Sequence, residues 1–347
     1  MTNKELARHF GVSPTAFSLI VNHKPGVSDE TRERISAELE RMGYGHLLKK
    51  ENVKEQNSNL CFVVFKRHGQ ILDLHPFFLL LMENLEQRAR MHGYNMLFTT
   101  IDLRLPLNEQ IKYLNSMDVK GAVIFATEMH AEDIECFREF QRPYIVLDND
   151  FMSLPVNAVS INNQMGTYQA VEYLVRLGHR EIGYLKSISR ISSFDEREKG
   201  YREALQSFGL ELKPEYIFQV CYFEEGSHQD FRQILQKKAK LPTAFVTDDD
   251  TIAVGVMKAL QEQGYRIPED ISIVGYNDRP TCSVTEPPLT SVNVSRYSFA
   301  AEAIDMLVGI VKNEERAKEK LRTKKLRVET KLYVRGSAGR PAGSNPE

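Results

Sequence analysis

The sequence predicts an α/β protein in two unlike parts. Residues 1–45 read as a three-helix domain containing a helix-turn-helix, and 60–337 as a two-lobed core of doubly wound parallel sheets. Three observations carry this. Residues 2–22 spell helix, glycine turn, helix. From residue 60 onward, apolar β-branched and aromatic runs alternate with amphipathic segments. The chain, at 347 residues, is too long for one compact core, and its strands are too many for one ordinary sheet.

Thr2 to Glu5 fits a capping box, with Glu5 reaching back to its cap. Leu6, Ala7 and Phe10 then share one helical face. Gly11 stops the helix, because a left-handed residue costs nothing without a Cβ, and Val12 plugs the turn. Ser13 caps the next helix and Pro14 takes its first position, where proline is welcome. Ala16, Phe17, Ile20 and Val21 make its buried face, while Pro14, Thr15, Ser18, Leu19 and Asn22 face away. Such a small polar face suits a DNA major groove. Pro14, Thr15 and Leu19 would meet base edges, and Ser13, Ser18, Asn22 and the helix N-terminus would hold phosphates. The alternative is a helical hairpin belonging to some core. A third helix is capped by Ser28, carries Asp29 and Glu30 where the dipole favours acids, buries Ile35, Leu39 and Met42, and stops at Gly43. So small a core is marginal alone and is expected to be tethered and partly mobile.

Residues 46–59 are polar and charged, with no apolar period strong enough for a packed helix. In the core, strands are expected at 60–66, 94–101, 121–125, 144–148, 159–162, 181–185, 217–222, 243–247 and 271–276. Helices are expected at 77–93, 108–117, 131–140, 166–177, 196–208, 227–236 and 252–264. The last residues, 338–347, read as a disordered tail.

Composition narrows the function classes. With 42% hydrophobic and 27% charged residues the chain is ordinary globular protein. A net charge of -2 means that any nucleic-acid contact must be local. Residues 1–50 hold eight Lys/Arg against six Asp/Glu, a balance of +2 that permits phosphate contact without proving it. The four cysteines, Cys61, Cys136, Cys221 and Cys282, show no paired spacing and read as free thiols. No leader-like run and no membrane-length apolar run occurs, so a cytoplasmic protein is expected. Neither GxGxxG nor a phosphate-loop lysine motif is present, and His9, His23 and His179 are not grouped as ligands, so no cofactor and no metal are expected. The acids Asp248, Asp249 and Asp250 cluster, but without GxSxG or HExxH they specify no reaction, and no enzyme is expected.

The wording is more specific than the pattern. GVSPTAFSLIVN (11–22) followed by KPGVSDETRERI (24–35) resembles the DNA-binding headpiece of the lactose-repressor and galactose-repressor family of bacterial transcriptional regulators. It departs at Ala16, where Thr is usual, at Phe17 for Val, and at Leu19, where many members carry Arg. The resemblance adds Thr31 and Arg32 to the DNA-contact set. It also implies a hinge helix in the linker, with Val53 where the family wedges a Leu into the minor groove; a plain tether is the equal alternative. Further matches run in order: HPFF (75–78), NNQMGTYQAVEYLVRLGHREIGYL (162–185), EREKGYREAL (196–205), TDDDTIAVGVMKAL (247–260), DISIVGYNDRP (270–280), EPPLTSV (286–292) and LYVRGSA (332–338). They imply a core like the periplasmic sugar-binding proteins, a double-stranded DNA operator, and a sugar or sugar-derivative effector. A homodimer is expected, because two tethered headpieces gain effective concentration on a palindromic site.

In such sheets ligands sit at the carboxyl ends of strands, between lobes. That selects Asp148, Asp249, Asp250, Asn277 and Asp278, whose carboxylates and amides can accept from ligand hydroxyls. Capping and lobe-bridging remain open for Asp250 and Asp278. Arg197 is expected to open a helix and to donate two-pronged bonds into the cleft, its rival being a surface pair with Asp195 or Glu198. By resemblance, Asp148, Arg197, Asp249 and Asn277 contact the ligand, Phe77 packs on it, and Phe223 or Tyr222 stacks. The alternatives are a sugar-binding module with structural N-terminal helices, and a sugar-processing enzyme.

Overall fold

A computed structural model describes residues 2–22, 24, 26–48, 58–73, 78–315 and 322–342. Val53, with the expected hinge, and Phe77, with most of HPFF, lie outside the described residues. The chain divides into two compact units, Met1–Asn57 and Ser58–Glu347.

The first unit holds α1 (Asn3–His9), α2 (Pro14–Val21) and α3 (Asp29–Arg41). Thr2 and Glu5 form the reciprocal capping box, and Gly11 takes φ +66° at the turn. Leu6, Ala7, Phe17, Ile20, Val21, Ile35 and Leu39 make one small buried cluster, against which Val12 and Met42 pack from the rim.

The second unit carries two six-stranded sheets. The strands are β1 (Ser58–Lys66), β2 (Tyr94–Asp102), β3 (Gly121–Phe125), β4 (Tyr144–Leu147), β5 (Ala158–Ile161), β6 (Ile182–Ser187), β7 (Ile217–Val220), β8 (Ala244–Thr247), β9 (Ser272–Asn277), β10 (Thr290–Val294), β11 (Lys325–Val328) and β12 (Thr330–Tyr333). The helices are α4 (Leu79–Met91), α5 (Leu107–Ser116), α6 (Asn163–Leu177), α7 (Ser192–Ser207), α8 (Glu224–Gln236), α9 (Asp250–Glu262) and α10 (Arg296–Glu315). The first lobe has the order β11-β5-β4-β3-β1-β2, the second β12-β10-β9-β8-β6-β7. Neighbours pair in parallel except β10 with β12. The central strands are buried on both faces, as their unbroken apolar runs require, whereas the edge strand β2 alternates.

The chain crosses between lobes three times. After β5, α6 packs on α7 and on β8, β10 and β12. After β10, α10 returns to the first lobe against α4 and β3 to β5, where Arg88 of α4 pairs with Asp305 of α10. β11 then closes the first sheet and β12 the second. Residues 286–292 and 332–338 were expected only as family matches. The structure makes them strands and sheet-edge turns, and adds the 20-residue α10 between.

Several boundaries differ from expectation. β1 begins at Ser58, since its parallel pairing reaches Tyr94, so the linker stops short of 59. Residues 131–137 form 3₁₀ turns, not an α-helix: the Asp133 carboxylate accepts from the His130 N–H at 2.8 Å and binds Arg67. The tail is not disordered from 338. Gly339 accepts from His179 Nε2 at 2.8 Å and donates its N–H to Ser272 Oγ at 3.0 Å, which packs residues 338–341. Residues 343–347 lie outside the described residues.

Candidate functional site

On the first unit the outward face of α2 is smaller than expected. Ser13 Oγ caps the helix by accepting from the Ala16 N–H at 3.0 Å. Pro14, Thr15 and Ser18 stand exposed. Leu19 is half-buried and leans over the following loop, so that a Cβ on Gly26 would come within 3.1 Å of it. Asn22 turns back and donates to the Ser18 carbonyl at 2.8 Å. Thr31 is bonded to the cap hydroxyl of Ser28 at 2.8 Å. Arg32 donates to the carbonyls of Lys24 at 2.7 Å and Leu19 at 3.3 Å. Those two carbonyls lie at and beyond the C-terminal turn of α2, so Arg32 clasps α2 to α3. Asn22, Thr31 and Arg32 therefore spend their polar groups inside the unit.

In the second unit a small, nearly closed pocket lies between the lobes. Ile71, Leu72, Thr127, Asp148 and Ile161 line it from the first lobe. Ile191, Ser193, Phe194, Arg197, Tyr222, Asp249, Asn277 and Arg279 line it from the second. Four residues chosen from sequence, Asp148, Arg197, Asp249 and Asn277, thus converge from four segments. Asp148 and Asn277 leave β4 and β9 with φ of +73° and +95°, a conformation costly for non-glycine residues and characteristic of strained sites.

Asp148 is buried and accepts from Thr127 Oγ1 at 2.6 Å. Burial pushes its carboxyl up to about 6, against the pull of Thr127 and Arg197. Arg197 is not at the opening of its helix, because α7 begins at Ser192. It is 3% exposed and no surface pair. Its Nε donates to Asn163 Oδ1 at 2.9 Å, its Nη1 to the Asp248 carbonyl and its Nη2 to Asn277 Oδ1 at 3.3 Å. The guanidinium lies 3.8 Å from the centre of the Tyr276 ring. Arg197 is a beam of the second lobe whose face also borders the pocket.

The three consecutive acids divide their work. Asp248 accepts from Tyr184 at 2.6 Å and from the Ser187 N–H at 2.7 Å, and pairs with Arg190; burial lifts it to about 6. Asp249 caps α9, accepting from the Thr251 N–H at 2.8 Å, and also takes Asn277 Nδ2 and Arg279 Nε. Against its burial, Arg279 and Thr251 hold it below the usual carboxylate range. Asp250 is raised by burial and by the Asp249 charge beside it. It accepts from the Arg279 N–H at 2.8 Å and Ser291 Oγ at 2.6 Å, and so braces the sheet.

Three expected ligand residues stand apart: Asp250, which braces the sheet, Asp278 and Phe223. Asp278 does not line the pocket; it is tied to Asn293 at 2.9 Å and Arg335 at 2.7 Å. Phe223 is the N-cap position of α8 and does not line it either; the neighbouring Tyr222 does, accepting from Arg279 at 2.9 Å. Thr127 and Arg279 were missed. Both lie just past a strand end, so the rule that selected Asp148, applied to every strand, would have found them. Among the described residues no His, Cys, Asp and Glu grouping could hold a metal, and no helix is long and apolar enough to cross a membrane.

The profile of the periplasmic binding protein-like domain matches residues 171–338. The ribose operon repressor of Haemophilus influenzae (strain ATCC 51907 / DSM 11121 / KW20 / Rd) is 28% identical over 315 residues, covering 90% of this chain and 92% of that protein. A transcriptional regulator CelR–cellobiose complex is similar at TM-score 0.70 and 25% identity, covering 97% of this chain and 100% of that one. A lac repressor dimer bound to operator and the anti-inducer ONPF shares the fold at TM-score 0.67 and 24% identity, over 98% and 99% of the two chains. With helix-turn-helix, two-lobed core and these relatives together, the chain is similar throughout to the lactose-repressor/galactose-repressor family of bacterial transcriptional regulators.

Proposed function

We propose that this chain is a ligand-responsive repressor of carbohydrate-related genes, working as a cytoplasmic homodimer on a two-fold operator. The observation that carries it is the convergence of Asp148, Arg197, Asp249 and Asn277 on one pocket between two lobes. Paired acceptors and donors around a small desolvated space suit a polyhydroxylated ligand, whose hydroxyls donate to Asp148 and accept from arginine. Ile191, Phe194 and Tyr222 supply apolar walls for the faces of a ring. A ribose operon repressor and a cellobiose-bound regulator among its relatives support a sugar or sugar derivative as effector.

On the DNA side, Pro14, Thr15 and Ser18 are the residues of α2 with room to meet base edges and phosphate, with Ser13 at the helix N-terminus beside them. Leu19 packs against the loop and offers a methyl edge rather than the two-pronged guanine contact of Arg. The roles of Val53 as a minor-groove wedge and Phe77 as a pocket aromatic remain part of this reading. The deciding experiment is a mobility-shift titration with DNA from upstream of its own gene, repeated with sugars, sugar phosphates and sugar acids. Retardation that weakens with salt and shifts with one class of sugar is expected. No retardation at low salt by the folded dimer overturns the regulator reading.

A further inference from the structure

The segment after β1, residues 67–72, is wrapped around a single carboxylate. Glu128, beyond the end of β3, is 1% exposed. Its Oε2 accepts the N–H groups of Arg67 at 3.1 Å, His68 at 3.2 Å and Gly69 at 2.8 Å. Its Oε1 accepts those of Ile71 at 2.9 Å and Leu72 at 3.1 Å. Burial alone would raise this acid, but the backbone donors outweigh it and hold the charge. Gly69 sits at φ +74°, and a Cβ there would meet Asp73 Oδ2 at 2.1 Å. Asp73 in turn is fastened by Lys66 at 2.6 Å and Arg104 at 2.9 Å.

What this loop presents is Ile71 and Leu72, both in the pocket wall. Ile71 belongs to the first lobe by sequence, yet it is buried in one apolar cluster with Ile191, Phe194 and Tyr222 of the second. Beside it Ser189 Oγ donates to Gln70 Oε1 at 2.7 Å, a hydrogen bond between the lobes. We infer that Glu128 is a positioning residue for effector binding: it holds the backbone of 67–72 so that Ile71 and Leu72 form the pocket wall and latch the two lobes. This rests on the reading that the effector binds between the lobes.

The test needs no effector. In Glu128→Gln one oxygen still accepts, but the amide NH2 faces the other set of N–H donors, so part of the loop loses its partner. In the full-length protein, hydrogen exchange at amides 68–72 is expected to quicken about tenfold or more, while α7 and α9 keep their protection. Ile71→Cys, labelled by a soluble maleimide and located by mass spectrometry, should react slowly alone and faster with Glu128→Gln. Should the Gln variant not fold, Gly69→Ala strains the same loop with the carboxylate in place and should give the same two changes. Unchanged exchange at 68–72, or a freed loop with Ile71→Cys still shielded, overturns the inference. If both change and no sugar binds the wild type, only the effector reading falls. For a sugar that does bind, Glu128→Gln should weaken it about tenfold, as for loss of a group that preorganises a binding site; unaltered sugar affinity also overturns the inference.

Discussion

The two units use polar side chains in opposite ways. In the headpiece each cap acts within three residues: Glu5 with Thr2, Ser13 with Ala16, Ser28 with Thr31. In the core the same residue types reach across the chain. Asp249 bonds a residue 28 positions away, Glu128 one 59 away and Arg197 one 80 away. A local cap is worth what one helix end is worth. A long-range acceptor joins several elements, so removing it strands several buried partners at once.

The largest effect expected from this contrast is at Arg197. Arg197→Ala leaves Asn163, Asn277 and the Asp248 carbonyl without their donor inside a site that admits little water. The loss should be on the order of 3–5 kcal/mol of core stability, as for breaking a buried charged network. Urea denaturation should move accordingly, and hydrogen exchange should place the loosening in α7 and α9 rather than in α2 or α3. Unchanged core stability would make Arg197 a ligand contact alone, as its place on the pocket would suggest without its bonds.

A smaller effect concerns pH. Asp148, lifted by burial to about 6 from an ordinary 3.8, favours folding when neutral. Its contribution is fully present below about pH 4 and is lost as pH rises through about 6, so it makes the core less stable at pH 8 than at pH 5. The full span, from below about pH 4 to well above 6, is on the order of 3 kcal/mol for this residue, roughly half of it between pH 5 and 8. Asp148→Asn keeps the bond from Thr127, suits the positive φ, and cannot ionise. The fall in melting temperature between pH 5 and 8 should shrink in the variant. An equal fall in both would mean that Asp148 is solvated well enough to stay charged.

The same distinction explains what was legible in the sequence. Headpiece helices, caps and the turn glycine follow rules that act over three or four residues, and all were readable. The αβ alternation from 58 to 277 was readable because each buried strand is a continuous apolar run. The final strands and α10 were not, since α10 packs on the other lobe from β10, the strand that precedes it in sequence, and β11 and β12 then fall in different sheets. At the pocket, the strand-end rule selected Asp148, Asp249 and Asn277 and stopped short of Thr127 and Arg279. It wrongly took Asp278, which looks identical in sequence and turns away to Arg335. Glu128 gave no signal at all, because five donors that converge on it come from one loop some sixty positions earlier. Phe223 and Tyr222 are equal candidates in sequence, and only the turn into α8 decides between them, leaving Tyr222 on the pocket.

The smallest effect, and the most direct comparison, sets one cap against another. Ser13 and Asp249 both precede a helix and both accept from its first turn, Ser13 at 3.0 Å and Asp249 at 2.8 Å. Ser13→Ala removes that one bond and should cost about 1 kcal/mol of headpiece stability, with Ser13→Gly costing a few tenths. In so small a core this matters, because little apolar burial is held in reserve. Asp249→Ala removes the same capping bond and also the acceptor for Asn277 and Arg279, leaving a buried guanidinium without its carboxylate. It should cost several times more, and Asp249→Asn should recover the capping part only. Urea midpoints for the four variants, with hydrogen exchange to assign each loss to its unit, give the ratio. If Ser13→Ala and Asp249→Ala cost the same, the long-range bonds around Asp249 add nothing to its cap, and the division between local and distant polar groups fails.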